Sequence, residues 1–301
     1  MKPDSKLASK IGASDFIVTA EYMPPAGCDA SAIDSAVKSF DGKATAVNVS
    51  DNHYGVALSS LAASVALNRA GIEPVFQILT RDRNRIALQS DLMGAACLGI
   101  KNVLCLSGYH QTLGSSPQAA NVFDIDSIQL LAAVKQMNDM GLLIDGKKIQ
   151  GSFSMLEGAV INPSLKPMEL NMIRLSKKIS AGASFIQTQA VFDVEAFQKW
   201  FEAAAKAGLT AKTAILAGVM PLASAVEAKK LRDTYTDFNI PDTVIDRLSK
   251  AGSEDSQKKE GIAICAEIIS RLKNIKGLRG VHIISGGNEA AAAGVISAAG
   301  L

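Results

Sequence analysis

Between Thr80 and His110 the chain lays out one complete strand–helix unit, and its grammar limits the fold more than any other feature. An apolar run, Pro74–Leu79, halts at the charged turn Arg81-Asp82-Arg83-Asn84, after which Ile86, Leu88, Leu92, Met93 and Ala96 recur at helical spacing. Gly99 ends that helix, and Val103–Leu106 opens the next strand before Ser107-Gly108-Tyr109-His110. Polar residues of the kind that do chemistry collect where strands end, and bland ones collect where helices end. That polarity is expected of an α/β barrel, whose active site lies at the C-terminal ends of its strands.

The alternation continues along the chain. Short apolar runs predict strands at 16–23, 44–49, 74–79, 103–106, 149–155, 184–189, 213–219 and 280–284. Amphipathic stretches predict helices at 29–40, 59–70, 86–96, 126–140, 167–180, 194–207 and 224–235. Two further helices, 241–251 and 257–272, precede the last strand, and an alanine-rich helix closes the chain. Gly71, Gly99, Gly141, Gly182, Gly208 and Gly252 follow helices, as left-handed caps require. A doubly wound sheet with a dinucleotide site would need GxGxxG after an early strand, and none is present. The reading is a single (β/α)8 TIM barrel over residues 1–301, with extra helices before the last strand.

Composition removes several functions. With a net charge of +2 and 5% aromatic residues, the chain has neither the basic surface nor the stacking platform of a nucleic-acid binder. Its apolar runs are interrupted before they reach the length of a membrane span, and residues 1–14 lack the apolar core of a secretion signal. Four scattered cysteines, with no CxxC pair, suggest neither disulfides nor a cysteine-built zinc site, so a reducing cytoplasm is the expected location.

Among the strand-end residues Glu21 stands out, because it lies on an apolar strand just before Pro24-Pro25. A carboxyl half-buried at a barrel mouth has a raised pKa and suits a general acid; a salt-bridged strand residue is the plainer account. Ser50, Asn52, Gln77, Ser107, Asn162, Gln187, Thr188 and Gln189 add neutral hydrogen-bonding groups, with Asp51 the one acid among them. Such a set fits a heteroaromatic ring and not a hydrolytic triad. His53, His110 and His282 have no metal-ligand spacing. Arg81, Arg83 and Lys178 are cations near the predicted mouth that could hold phosphates. On pattern alone, ion pairing to Asp82 or Asp91 explains the arginines, and a helix C-terminus explains the lysine. Gly286-Gly287 is a weak phosphate-loop signal.

Read together and in order, several segments resemble the methylenetetrahydrofolate reductase family, in the style of its short single-domain anaerobe-type branch. They are Ala20–Pro25 (AEYMPP), Asn48–Asn52 (NVSDN), Arg81–Asp91 (RDRNRIALQSD), Leu104–Gly108 (LCLSG), Gly158–Pro163 (GAVINP), Ala181–Ala183 with Gln187–Gln189, and Gly218–Pro221 (GVMP). The resemblance runs from Phe16 to about Gly294. It implies a flavin, FAD with FMN also compatible, that passes hydride to the methylene carbon of a folate. It places the family's general acid on Glu21 and its pterin-binding glutamine on Gln189. Flavin contacts are implied at Ser50, Gln77, Ser107, Gly108, Asn162 and Lys178, and Ala225 replaces an aromatic residue that lies against folate in some members. The resemblance also implies an electron donor, either NAD(P)H or a small zinc- or iron–sulfur-containing partner subunit, and a homo-oligomer or larger complex.

One position departs from the family. Tyr109 stands where an aspartate usually borders both flavin and pterin. A neutral phenol there removes a negative charge from beside a flavin that becomes anionic on reduction, which eases reduction. The departure keeps open a folate-binding or non-catalytic barrel subunit as the alternative.

Overall fold

The computed structural model describes residues 3–235 and 238–301. In chain order the elements are α1 (Lys6–Ala13), β1 (Ile17–Tyr22), α2 (Ser31–Phe40), β2 (Ala46–Val49), α3 (Ser60–Arg69), β3 (Pro74–Leu79), α4 (Arg85–Cys97) and β4 (Asn102–Leu106). After a short 3-10 turn at Gln111–Leu113 come α5 (Ser127–Met140), β5 (Leu156–Ile161), α6 (Met168–Ser180), β6 (Phe185–Ala190), α7 (Val194–Lys206) and β7 (Ala214–Val219). The chain ends with α8 (Ala225–Thr234), α9 (Asp242–Lys250), α10 (Glu254–Leu272), β8 (Gly280–Ile283) and α11 (Glu289–Ala298). The strands pair in parallel in sequence order, and β8 closes on β1 with Thr19 opposite His282. The predicted barrel and its extra helices α9 and α10 are therefore present.

Local chemistry explains the element ends. Asn84 accepts hydrogen bonds from the Ile86 and Ala87 N–H groups to start α4, and Asp126 with Gln129 forms a capping box on α5. The six glycines expected to close helices all adopt positive φ. One strand was misplaced by pattern: residues 149–155 are not β5, which runs Leu156–Ile161. Ile149, Phe153 and Met155 alternate as a half-buried strand would, but Gly151 at φ 87° breaks the extended backbone. Both backbone polar groups of Met155 go to the side-chain amide of Asn138 on α5 instead of a neighbouring strand. The true strand contains Glu157-Gly158, residue types that read as a loop. Gly158 is required there because a Cβ would overlap the Phe185 ring on β6.

Two apolar cores flank the strands. The larger one lies between the strands and the surrounding helices. The smaller one fills the lower barrel, where Ile17, Ala46, Val75, Leu104, Leu156, Phe185 and Leu216 meet Leu7 and Ala8 of α1. Helix α1, which the periodicity analysis did not predict, plugs this end. Glu73 accepts from the N–H groups of Lys6 (2.6 Å) and Leu7 (2.9 Å) at its start. Arg279 donates to the Lys10 and Ile11 carbonyls (3.3 and 2.9 Å) at its end. Both sets of orphan groups of a two-turn helix are thus satisfied, with charges that match its dipole.

Candidate active site

Because strand side chains alternate, Thr19 and Glu21 of β1 both face the barrel interior, one turn of pleat apart. At the lower of these two levels lies a belt of polar groups. Asn48 and Gln187 exchange amide hydrogen bonds (2.7 and 3.0 Å), Gln187 also donates to Thr19 Oγ1 (3.1 Å), and Thr19 contacts His282 Nδ1 at 3.0 Å. The Gln187 amide nitrogen, a donor only, also faces His282 Nδ1 at 3.3 Å, so Nδ1 is an acceptor and the ring proton sits on Nε2. Burial pushes the His282 pKa down to about 3, which keeps the imidazole neutral. This belt is the floor of a cavity of about 300 Å3 that opens at the C-terminal ends of the strands.

Glu21 stands in the wall of that cavity, 6% exposed. Burial pushes its pKa up to about 7, against the opposing effect of backbone N–H groups at Gly286 and Ser285 and with a small contribution from Glu289. The Gly286 N–H reaches Glu21 Oε2 at 3.4 Å, so the glycine pair after β8 serves a carboxylate and not a phosphate. Glu289 is itself engaged by the Met23 N–H at 3.1 Å. A carboxyl in this state is part acid, part base at neutral pH, as proton transfer to a substrate requires.

The opposite wall is set by arginine. Buried Arg81 forms a two-point ion pair with Asp82 (2.7 and 2.9 Å) and donates to the carbonyls of Asn52 (2.7 Å) and Tyr109 (3.2 Å). It thereby ties the loops after β2, β3 and β4 together. Arg83 binds Asp51 at 2.7 Å and Asp91 at 2.9 Å, and Asp51 also accepts the Leu79 N–H. Neither arginine lines the cavity, so the ion-pair account of both holds. Lys178 does line it. Its Nζ donates to the Val160 carbonyl at 2.8 Å, no carboxylate pairs with it among the described residues, and burial lowers its pKa.

Of the residues singled out from sequence, the cavity wall gathers Glu21, Gln77, Ser107, Gly108, Tyr109, Lys178 and Gln189. Gly108, at φ 86°, turns the chain so that Tyr109 enters the cavity, and a Cβ there would press on Arg81 Cβ at 3.2 Å. The Tyr109 hydroxyl accepts a hydrogen bond from Gln189 Nε2 at 3.2 Å. Three positions lie elsewhere. Ser50 lines an adjoining side cavity of about 210 Å3, its buried hydroxyl without a hydrogen-bond partner. Asn162 shapes the turn after β5, its side chain accepting from the Ser164 N–H and its carbonyl from Asn171. Ala225 is buried at the start of α8, where its N–H meets Gln257. Sequence reasoning missed the wall residues Tyr54 and Phe238, and did not place His53, which with Tyr54 separates the two cavities. No spacing signal marks these residues, since distant loops bring them together. Among the described residues, no three His, Cys, Asp or Glu side chains are grouped to hold a metal ion, and no helix is long and apolar enough to cross a membrane.

The family model described as methylenetetrahydrofolate reductase matches residues 6–300. The chain belongs to the methylenetetrahydrofolate reductase family. It is 22% identical over 247 residues to a probable methylenetetrahydrofolate reductase (NADPH) of Caenorhabditis elegans, a match covering 81% of this chain and 34% of the relative. It is 23% identical over 217 residues to 5,10-methylenetetrahydrofolate reductase of Pectobacterium carotovorum, covering 71% of this chain and 65% of that one. The chain thus spans about one-third to two-thirds of the length of these relatives. A solved structure of a Clostridium thermocellum protein, described as binding two copies of 5-methyl-5,6,7,8-tetrahydrofolic acid, superposes with a TM-score of 0.69 at 14% identity. It covers 97% of this chain and 98% of that one, and at that identity it speaks for the fold alone. In this family member's barrel, the segments that carried the resemblance end β1, β2, β4, β5, β6 and β7 and start α4.

Proposed function

We propose that the barrel interconverts 5,10-methylene- and 5-methyltetrahydrofolate, with Glu21 as general acid and FAD as the redox group. The observation that carries this reading is a buried carboxyl, poised to titrate near pH 7, in the wall of a cavity whose other polar groups are neutral apart from the Lys178 ammonium. The reducing direction begins with protonation of the substrate's five-membered ring, which opens to an iminium ion. Glu21 supplies that proton from its protonated form and is left as a carboxylate facing the Gly286 N–H. Gln189 offers its side-chain amide to the pterin edge with Tyr109 beside it, and the neutral His282 belt fixes the floor beneath it.

The donor set fits a flavin. A desolvated ammonium whose hydrogen-bond partner is one neutral carbonyl suits a phosphate or ribose, so Lys178 would hold that portion. Gln77, Ser107 and Gly108 would border the ring, Asn162 would act only by shaping the turn after β5, and Ser50, with an orphaned hydroxyl next door, extends the polar wall. A reduced flavin held there supplies the hydride. Ala225, buried under the α8 start, would support the folate side only from behind. The reading includes an outside electron donor, NAD(P)H or a zinc- or iron–sulfur-containing partner subunit, assembly as a homo-oligomer or complex, and a cytoplasmic setting.

The test is the visible spectrum of the purified protein, followed by anaerobic addition of 5-methyltetrahydrofolate. A flavin spectrum that bleaches supports the reading. Glu21→Gln should then keep flavin and its reduction by an artificial donor yet lose folate turnover at least about a hundred-fold. Turnover near wild type in that variant removes Glu21 from the mechanism. The phenol of Tyr109 already resting on Gln189 favours one second reading, a folate-binding barrel without turnover; flavin that stays oxidised while folate binds would select it.

A further inference from the structure

We infer that Tyr109 is a gating residue for the cavity, a phenol that engages the Gln189 amide and must swing away before a pterin-class ligand can take that amide. The inference rests on the folate reading above and adds how access to that site is controlled. Its first support is the hydrogen bond from Gln189 Nε2 to the Tyr109 hydroxyl (3.2 Å), which puts the phenol on the group best placed to read a planar polar edge. Its second is a closed circuit of aromatic rings. Tyr109 touches His53 edge-on at 5.6 Å between centroids, His53 touches Tyr54 at 4.2 Å, Tyr54 touches Tyr235 at 5.8 Å, and Tyr235 returns to Tyr109 at 5.3 Å. Each of these rings has at least two neighbours at aromatic packing distance, and Tyr235 has a third in Phe238 at 6.3 Å.

The third support is that the backbone beneath the phenol is anchored. The Tyr109 carbonyl is held by Arg81, which is itself buried and bound to Asp82, and Gly108 is fixed at φ 86° against Arg81. Release of Gln189 therefore comes from rotation of the Tyr109 side chain about its own bonds. A ligand takes the Gln189 amide by displacing the phenol's hydrogen bond and its ring contacts together.

The experiment uses full-length, flavin-loaded protein labelled with 3-fluorotyrosine. The chain has four tyrosines, and Tyr109→Phe assigns the Tyr109 resonance. Without ligand, Gln189→Ala should move that resonance and leave the distant Tyr22 signal in place. Saturation with 5-methyltetrahydrofolate should also move it, and Tyr109→Phe, which keeps the ring but drops the competing hydroxyl, should bind this folate about five-fold tighter. A Tyr109 resonance unmoved by saturating folate overturns the gate. So does weaker binding in Tyr109→Phe that parallels Gln189→Ala, because the phenol would then be a direct ligand contact. No folate binding by wild type or variants overturns the folate reading itself and the gate with it. Binding with an unmoved resonance overturns the gate alone.

Discussion

At the lower end of the barrel, α1 lies across an apolar layer with its first N–H groups on Glu73 and its last carbonyls on Arg279. At the upper end, Glu21, His53 and Lys178 are all held away from their ordinary protonation behaviour by burial, and Ser50 keeps a buried hydroxyl with no partner. The same eight strands support both ends. Apart from Arg279 Nε and Thr213 Oγ1, which have no partner, the lower end is complementary in shape and charge, so its side chains serve stability. The upper end leaves desolvated groups unmatched, a cost that only a ligand or a proton can offset. Where a barrel keeps such unmatched groups together, that is where its chemistry belongs.

Four substitutions sharpen this contrast. Phe185 is fully buried in the lower layer and occupies the space that Gly158 leaves open, so Phe185→Ala should cost about 4 kcal/mol in denaturant unfolding. A loss under about 1 kcal/mol would mean the lower barrel is not close-packed.

Glu21→Gln should do the opposite at alkaline pH. Burial raises the folded carboxyl from its ordinary 4.5 to about 7, so its charged form is disfavoured in the folded state. Stability from this group is fully present below pH 4.5, falls as pH rises through 7, and is then lower by about 3 kcal/mol. The glutamine variant should be more stable than wild type by up to that amount at pH 8 and indistinguishable from it near pH 4. Equal stability at both pH values would show that Glu21 is not desolvated.

Glu73→Ala returns the contrast to the lower end. It removes the acceptor for two α1 N–H groups and for the Asn102 amide, and should cost about 1–2 kcal/mol. Hydrogen exchange should accelerate throughout α1, while ligand binding at the mouth stays as it was. Protection of α1 unchanged in this variant would detach Glu73 from the plug. The smallest effect belongs to Ser50→Ala, which removes a hydroxyl that no protein group satisfies and should shift stability by under about 0.5 kcal/mol. A loss well above 1 kcal/mol would reveal a protein partner for that hydroxyl.

Much of the frame was legible because its signals are local. Helix ends announced themselves through Asn84, Asp126 and the capping glycines, and seven strands fell where short apolar runs predicted them. The fifth failed for a physical reason: glycine stands at 158 because the Phe185 ring of the next strand leaves no room for a Cβ, and no window around residue 158 contains that ring. Glu21 and Gln189 could be singled out because strand ends are readable and alternation sends Glu21 inward.

The rest of the site was decided by tertiary structure. Arg81 reads from sequence as a cation near the mouth, ion-paired to Asp82 or Asp91, and its burial follows only from the three loops that converge on it. The Gly286 N–H meets Glu21 across 265 residues of sequence, and the ring circuit joins His53 and Tyr54 to Tyr109 and Tyr235. Periodicity and capping act within a few residues, and so the sequence alone determined the barrel, its polarity and the residue types at its mouth. Which of those residues touch, which are desolvated and which cover one another depends on loops closing over long separations, and only the folded barrel settles that.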